Sequence, residues 1–112
     1  MTDQAVIHKV VFDLGASPHD PKLVQAFDVP ADAQLVAVDW DTRNELGIAL
    51  WFRTTLPQPG WTGADRKTTW RVMVRGTGHA FRDDCQHLGT AVRDGFAWHL
   101  LDADGTHIER AR

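Results

Sequence analysis

The sequence predicts an all-β or mainly β fold, organised as a single small antiparallel β-sandwich or barrel with at most one short helix. Several short segments alternate apolar and polar residues with a period of two, which is typical of half-buried strands. The pair Asp94-Gly95 stands between two apolar segments, and Asp-Gly is a strong signal for a tight β-hairpin. No segment repeats apolar residues at the spacing of a long amphipathic helix. Short strands separated by turn residues are the pattern of a sandwich or barrel.

The first half of the chain contains four predicted strands, at residues 6–14, 23–29, 35–40 and 46–54. The first of them is rich in β-branched residues, and in the fourth Ile48, Leu50 and Phe52 share one face. Residues 15–22 are predicted to form a loop, because their two prolines cannot donate to a strand ladder. The hydrophilic residues 41–45 have the length of a hairpin connection.

A long loop is predicted at residues 55–66, where prolines and glycines surround Trp61. Loops of about a dozen residues in small domains are usually functional or mobile. Trp61 can fold back over the core, or it can be held outward as a contact anchor, since an aromatic ring offers a large area at low entropy cost. The sequence leaves both alternatives open.

The second half contains three further predicted strands, at residues 68–75, 88–92 and 96–101. The first is the clearest in the chain, with Trp70 and Val74 on its apolar face, and a Gly-Thr-Gly segment ends it. The polar segment that follows allows one helical turn. A second, weaker hairpin is predicted through Asp104-Gly105 onto residues 106–109. The basic tail, residues 110–112, is predicted to fray.

Length and composition predict one domain, residues 1–112. A net charge of −3 and a pI of about 6.0 argue against nucleic acid as a partner, because nucleic-acid affinity depends on many Lys and Arg. Cys85 is the only cysteine, which excludes an internal disulfide and suits a reducing compartment. The chain has no apolar run of about 18 residues and no signal-peptide pattern at its start. We therefore expect a cytoplasmic location and no membrane association.

Positive charge is concentrated in the second half, where residues 66–112 carry eight bases, seven of them arginine, against six acids. In the predicted strand at 68–75 two arginines share one face, directly before a Gly-Thr-Gly-His segment. Guanidinium groups match the geometry of phosphate and carboxylate. The predicted ligand-binding residues for a small anion or nucleotide are Arg71, Arg75, Thr77, His79 and His87. The alternative is a solvated strand face without a ligand.

Other chemistries find weaker support in the sequence. The segment Gly76-Thr77-Gly78 is not a dinucleotide loop, because Phe81 stands where the third glycine is required. Metal-capable side chains cluster between His79 and His87, but their spacing matches no zinc module. The alternative there is a solvated loop in which an aspartate caps a turn. The neighbouring aspartates also disfavour a Cys85 thiolate. We therefore predict no catalytic residue, no metal and no cofactor.

The five tryptophans are more than a small core needs. Four lie on predicted strands, and core packing explains most of them. Trp40 and Trp51 lie on adjacent predicted strands, where they can face each other across the strand pair. Exposed aromatic side chains also favour partner binding. The predicted partner contacts are Trp61, Trp51 and Trp40.

The most specific segments of the sequence are Gly76-Thr77-Gly78-His79 and Leu88-Gly89-Thr90 followed by Trp98-His99. With these segments, most of residues 5–102 resembles, in order and spacing, a family of small β-rich proteins found mainly in bacteriophages and classed as a domain of unknown function. The loop at 55–66 departs from the family, since it is longer and richer in proline and glycine. The resemblance implies a compact β fold and a phage origin, and it implies no activity.

Together with this resemblance, these observations predict a non-enzymatic phage accessory protein that acts by binding a host protein, such as a defence or regulatory factor, in the host cytoplasm. A homodimer is a further expectation, because sheet edges need cover. Three alternatives stay open: a small-anion or nucleotide binder, a structural component of the virion, and a metal-dependent hydrolase.

Overall fold

A computed structural model describes residues 4–15, 24–55 and 66–111, and it forms two antiparallel sheets from seven strands. The strands are β1 (Ala5–Asp13), β2 (Val24–Pro30), β3 (Gln34–Trp40), β4 (Gly47–Thr55), β5 (Lys67–Gly76), β6 (His87–Arg93) and β7 (Phe96–Asp102). One sheet has the order β1-β4-β3 and the other β2-β5-β7-β6. The described residues contain no helix, and thus none that could span a membrane. The predicted all-β fold is confirmed as a small β-sandwich.

The core lies between the two sheets and is built from the alternating apolar residues of both. Phe12, Ile48 and Leu50 come from the three-stranded sheet, and Trp70 and Val72 come from the four-stranded sheet; all are essentially inaccessible to solvent. Burial of this apolar area is the main favourable contribution to folding. A second, smaller cluster of Met73, Cys85 and Leu101 is buried on the outer face of the four-stranded sheet.

The hairpin predicted at Asp94-Gly95 is present between β6 and β7. Asp94 has φ of 54° and Gly95 has φ of 82°, as a two-residue hairpin turn of this type requires. This turn sets the register, so that Arg93 pairs with Phe96.

The chain after β7 differs from the prediction. Residues 103–109 form turns rather than the predicted second hairpin. The tail does not fray at Arg110 and Ala111: Leu35 donates its N–H to Glu109 O at 2.8 Å, and Ala111 donates to Leu35 O at 2.8 Å. The buried side chain of Ile108 anchors the segment, so its order comes from tertiary contacts that the local sequence does not reveal.

A β-bulge in β6 has direct consequences for the outer face. His87 pairs with Leu101 and Gly89 pairs with Leu100, so Leu88 is an extra residue in this strand. Leu88 points into the core. Because the bulge reverses the alternation, His87 and Thr90 share the outer face of the sheet, although their spacing in a regular strand would put them on opposite faces.

Candidate functional site

The outer face of the four-stranded sheet carries the residues that form the candidate site. Arg75 on β5 pairs with His99 on β7, and His99 pairs with Thr90 on β6. His87 on β6 pairs with Leu101, which lies two residues beyond His99 on β7. Three strands and the bulge therefore place one arginine, two histidines and one threonine close together.

The connection between β5 and β6 closes one side of this site. A turn follows β5, in which His79 N donates to Gly76 O at 3.1 Å. The turn brings the His79 ring against Gly76, since a Cβ at Gly76 would lie 3.3 Å from His79 Cε1. Cys85 then returns the chain to the sheet, buried against Met73 and Leu101.

The result is a surface pocket with a volume of about 330 Å³. It is lined by Arg75, Gly76, Thr77, Gly78, His79, Phe81, His87 and His99. Among the residues that the structure describes, neither aspartate nor glutamate belongs to this lining. The pocket thus combines a guanidinium and three imidazoles without a neutralising carboxylate.

A chain of hydrogen bonds joins both strand histidines to two threonines. Thr77 Oγ1 lies 3.1 Å from His99 Nε2, and Thr90 Oγ1 lies 3.0 Å from His99 Nδ1. Thr90 Oγ1 is also 3.0 Å from His87 Nε2. One hydroxyl has one proton, so it can donate to only one of the two rings and must accept from the other. The hydrogen-bonding roles of the His87 and His99 rings are therefore linked through Thr90, and His87 Nε2 also lies 3.4 Å from His99 Nδ1.

Partial burial lowers the pKa of His87 below its ordinary value of 6.5, and the nearby His99 and the Arg110 guanidinium lower it further. Arg110 belongs to this environment because its Nη1 donates to His87 O at 2.9 Å. At neutral pH the His87 imidazole is thus mainly uncharged, and an added anion would offset the positive charge around it.

Arg75 both lines the pocket and fastens the turn beside it. Its Nε donates to Ala80 O at 3.1 Å, and its Nη1 donates to Val74 O at 2.8 Å. A guanidinium has more N–H donors than these two bonds use. Arg75 can therefore bind an anion from a position that the backbone holds in place.

Four of the five predicted ligand-binding residues, Arg75, Thr77, His79 and His87, meet in this pocket. Arg71 does not line it. Arg71 shares the outer face with Arg75, but its Nη1 is paired with Asp104 Oδ1 at 2.6 Å. Strand geometry explains the separation, because four residues along a strand span about 13 Å.

The predicted partner contacts are not gathered in one place. Trp40 pairs with Ile48 and packs against the core, whereas Trp51 pairs with Ala37 and lies beneath Lys9 Nζ, 5.1 Å from the ring centroid. Trp40 and Trp51 therefore do not face each other, and that expectation is wrong. Trp61 lies outside the described residues.

Sequence reasoning missed His99, Thr90 and Phe81 as parts of the site. A usable signal existed for two of them, since the two-residue turn at Asp94-Gly95 implies that Thr90 stands opposite His99. Phe81 carries no local signal, because its position depends on how the connection between β5 and β6 folds onto the sheet. In the part of the chain that the structure describes, no group of three His, Cys, Asp or Glu is placed to hold a metal ion.

The fold and the pocket define the chain as a small antiparallel β-sandwich with a histidine-rich and arginine-containing pocket on one sheet face. The family described as Domain of unknown function (DUF7352) matches residues 4–110, and the chain belongs to this family. No curated protein and no solved structure matches the chain.

Proposed function

We propose that this protein acts by binding, and that the histidine pocket takes a small anionic ligand such as a phosphate or a carboxylate. The observation that carries the proposal is the composition of the lining: it contains Arg75, His79, His87 and His99, and none of its described residues is acidic. Charge-assisted hydrogen bonds from guanidinium and imidazole groups to an anion are stronger than neutral ones. The pocket volume of about 330 Å³ suits a small molecule.

The two arginines of β5 supply a matched pair for the test. We expect Arg75→Gln to weaken the binding of inorganic phosphate at least about tenfold, since a hydrogen bond to a charged group contributes about 1.5–3 kcal/mol. Arg71→Gln should leave the affinity unchanged, because Arg71 is paired with Asp104 away from the pocket. Isothermal titration calorimetry at low ionic strength measures both affinities.

Two results would contradict the proposal. The first is an equal loss of affinity in both arginine variants, which would indicate a general effect of surface charge. The second is the absence of phosphate and acetate binding by the unmodified protein at millimolar concentrations. Thermal unfolding of each variant checks that the fold is retained.

We propose, as a second candidate function, that the protein is a phage accessory factor that binds a host protein in the cytoplasm. The supporting observation is an apolar depression of about 450 Å³ at one end of the sandwich, lined by side chains that include Trp40, Leu46, Phe96 and Trp98. Phe96 is 68% exposed and Leu46 is 47% exposed. Clustered exposed apolar side chains are typical of contact surfaces.

The depression is tested by Phe96→Ser, with Ile7→Ser as the control. Ile7 is also exposed, at 53%, but it lies on β1 in the other sheet. A host protein that copurifies with the unmodified chain and with Ile7→Ser, but not with Phe96→Ser, would support partner binding at this surface. A dimer in sedimentation experiments that only Phe96→Ser dissociates would assign the surface to a homodimer instead.

A further inference from the structure

We propose that the anion bound in the histidine pocket also carries a planar aromatic ring, and that the ligand class is a nucleoside monophosphate. This inference rests on the proposed anion-binding function and adds the identity of the rest of the ligand. Four of the eight lining residues contribute rings: His79, His87, His99 and Phe81. A pocket that binds only phosphate does not require four rings in its lining.

Phe81 is the observation that points beyond the anion. Its side chain is 48% exposed at the pocket, and it belongs to neither hydrophobic cluster of the described residues. An exposed phenyl ring beside a cationic pocket offers a stacking surface for a heterocyclic base, since base–aromatic stacking tolerates every base. Packing in the hydrophobic core therefore does not explain the position of the Phe81 side chain.

The backbone is fastened on both sides of Phe81. On one side Ala80 O accepts the hydrogen bond from Arg75 Nε. On the other side Arg82 O accepts a hydrogen bond from Cys85 N at 3.1 Å, and the Arg82 side chain donates from Nη2 to Ala103 O at 3.3 Å. An aromatic side chain held in this way binds at a lower entropy cost than one on a free loop. Arg75 therefore has two roles in this arrangement. It holds the backbone next to Phe81, and it faces the bound anion.

The size and charge of the molecule favour a mononucleotide over a nucleic-acid strand. The pocket volume of about 330 Å³ lies at the lower end of the range for small-molecule sites. The net charge of −3 does not suit the neutralisation of many phosphates. In this arrangement the phosphate lies at Arg75 and the imidazoles, and the base lies against Phe81.

The experiment compares adenosine 5′-monophosphate with ribose 5-phosphate by calorimetry. These ligands carry the same phosphate and sugar, and only the first has a base. We expect the first to bind about tenfold more tightly to the unmodified protein. Phe81→Ala should remove that difference and leave ribose 5-phosphate binding unchanged. Ile7→Ala removes an exposed apolar side chain from β1, in the other sheet and outside this pocket, and should change neither affinity.

Each outcome separates this inference from the function on which it rests. Equal affinity for both ligands would overturn the aromatic ligand class while the anion site stands. Failure of both ligands and of inorganic phosphate to bind would overturn the proposed function as well. A preference for the base that persists in Phe81→Ala, with the variant still folded, would also overturn the assignment to Phe81.

Discussion

Replacement of Asp102 by alanine is expected to lower the free energy of unfolding by about 3 kcal/mol. Asp102 is the last residue of β7, and its side chain is completely buried. Its two carboxylate oxygens accept hydrogen bonds from the backbone N–H of Asp104, at 2.9 Å, and of Ile108, at 2.5 Å. Because Ile108 is itself buried, its N–H would lose its partner without gaining water. Urea unfolding measures the change.

Two further variants are expected to lose less stability than Asp102→Ala, and they test whether the lost hydrogen bonds cause its effect. Asp102→Asn keeps one acceptor oxygen and should lose about half as much stability as Asp102→Ala. Asp83→Ala removes an exposed aspartate from the loop between β5 and β6 and should change stability by less than about 0.5 kcal/mol. If Asp102→Ala is no more destabilising than Asp83→Ala, Asp102 does not hold the segment after β7.

Asp102 also shows where sequence reasoning succeeds and where it stops. Alternation correctly located β7, because the even-numbered residues Trp98 and Leu100 face the core. The same alternation places Asp102 on the core side of β7. Judged from the local sequence alone, a buried position is unfavourable for a carboxylate. Its partners lie in a segment that turns back beneath the sheet, and no short-range signal predicts that path. Tertiary hydrogen bonds therefore decide the role of this residue.

The candidate site, too, could be predicted from the sequence only in part. Period-two alternation was enough to place Arg75 on the outer face and, with the hairpin register, implies that His99 and Thr90 lie beside it. His87 joins them only because of the bulge, which no local sequence pattern reveals. The pattern also grouped Arg71 with the site, because a shared strand face says nothing about the pairing with Asp104.

The second large loss of stability is expected for Gly89→Ala, at the residue that follows the bulge in β6. Gly89 on β6 is the place where this strand approaches β3 of the other sheet. A Cβ atom at position 89 would lie 2.6 Å from Val38 Cβ and 2.9 Å from Val38 Cγ2, which is closer than such atoms can approach. The strands must separate, and overpacking of this kind costs about 1–3 kcal/mol. We expect a loss near the upper limit in urea unfolding, because the nearest obstacle adjoins the backbone.

A double-mutant cycle with Val38→Gly identifies the cause of that loss. If the clash with Val38 is responsible, the two substitutions should couple by more than about 1 kcal/mol, since removing the Val38 side chain makes room for the new methyl group. Simple additivity would show that Gly89 is required for another reason. The bulge at Leu88 also brings His87 to Thr90, so a shifted β6 disturbs the pocket. Gly89→Ala should therefore weaken phosphate binding together with stability, and the Val38→Gly background should restore both in part.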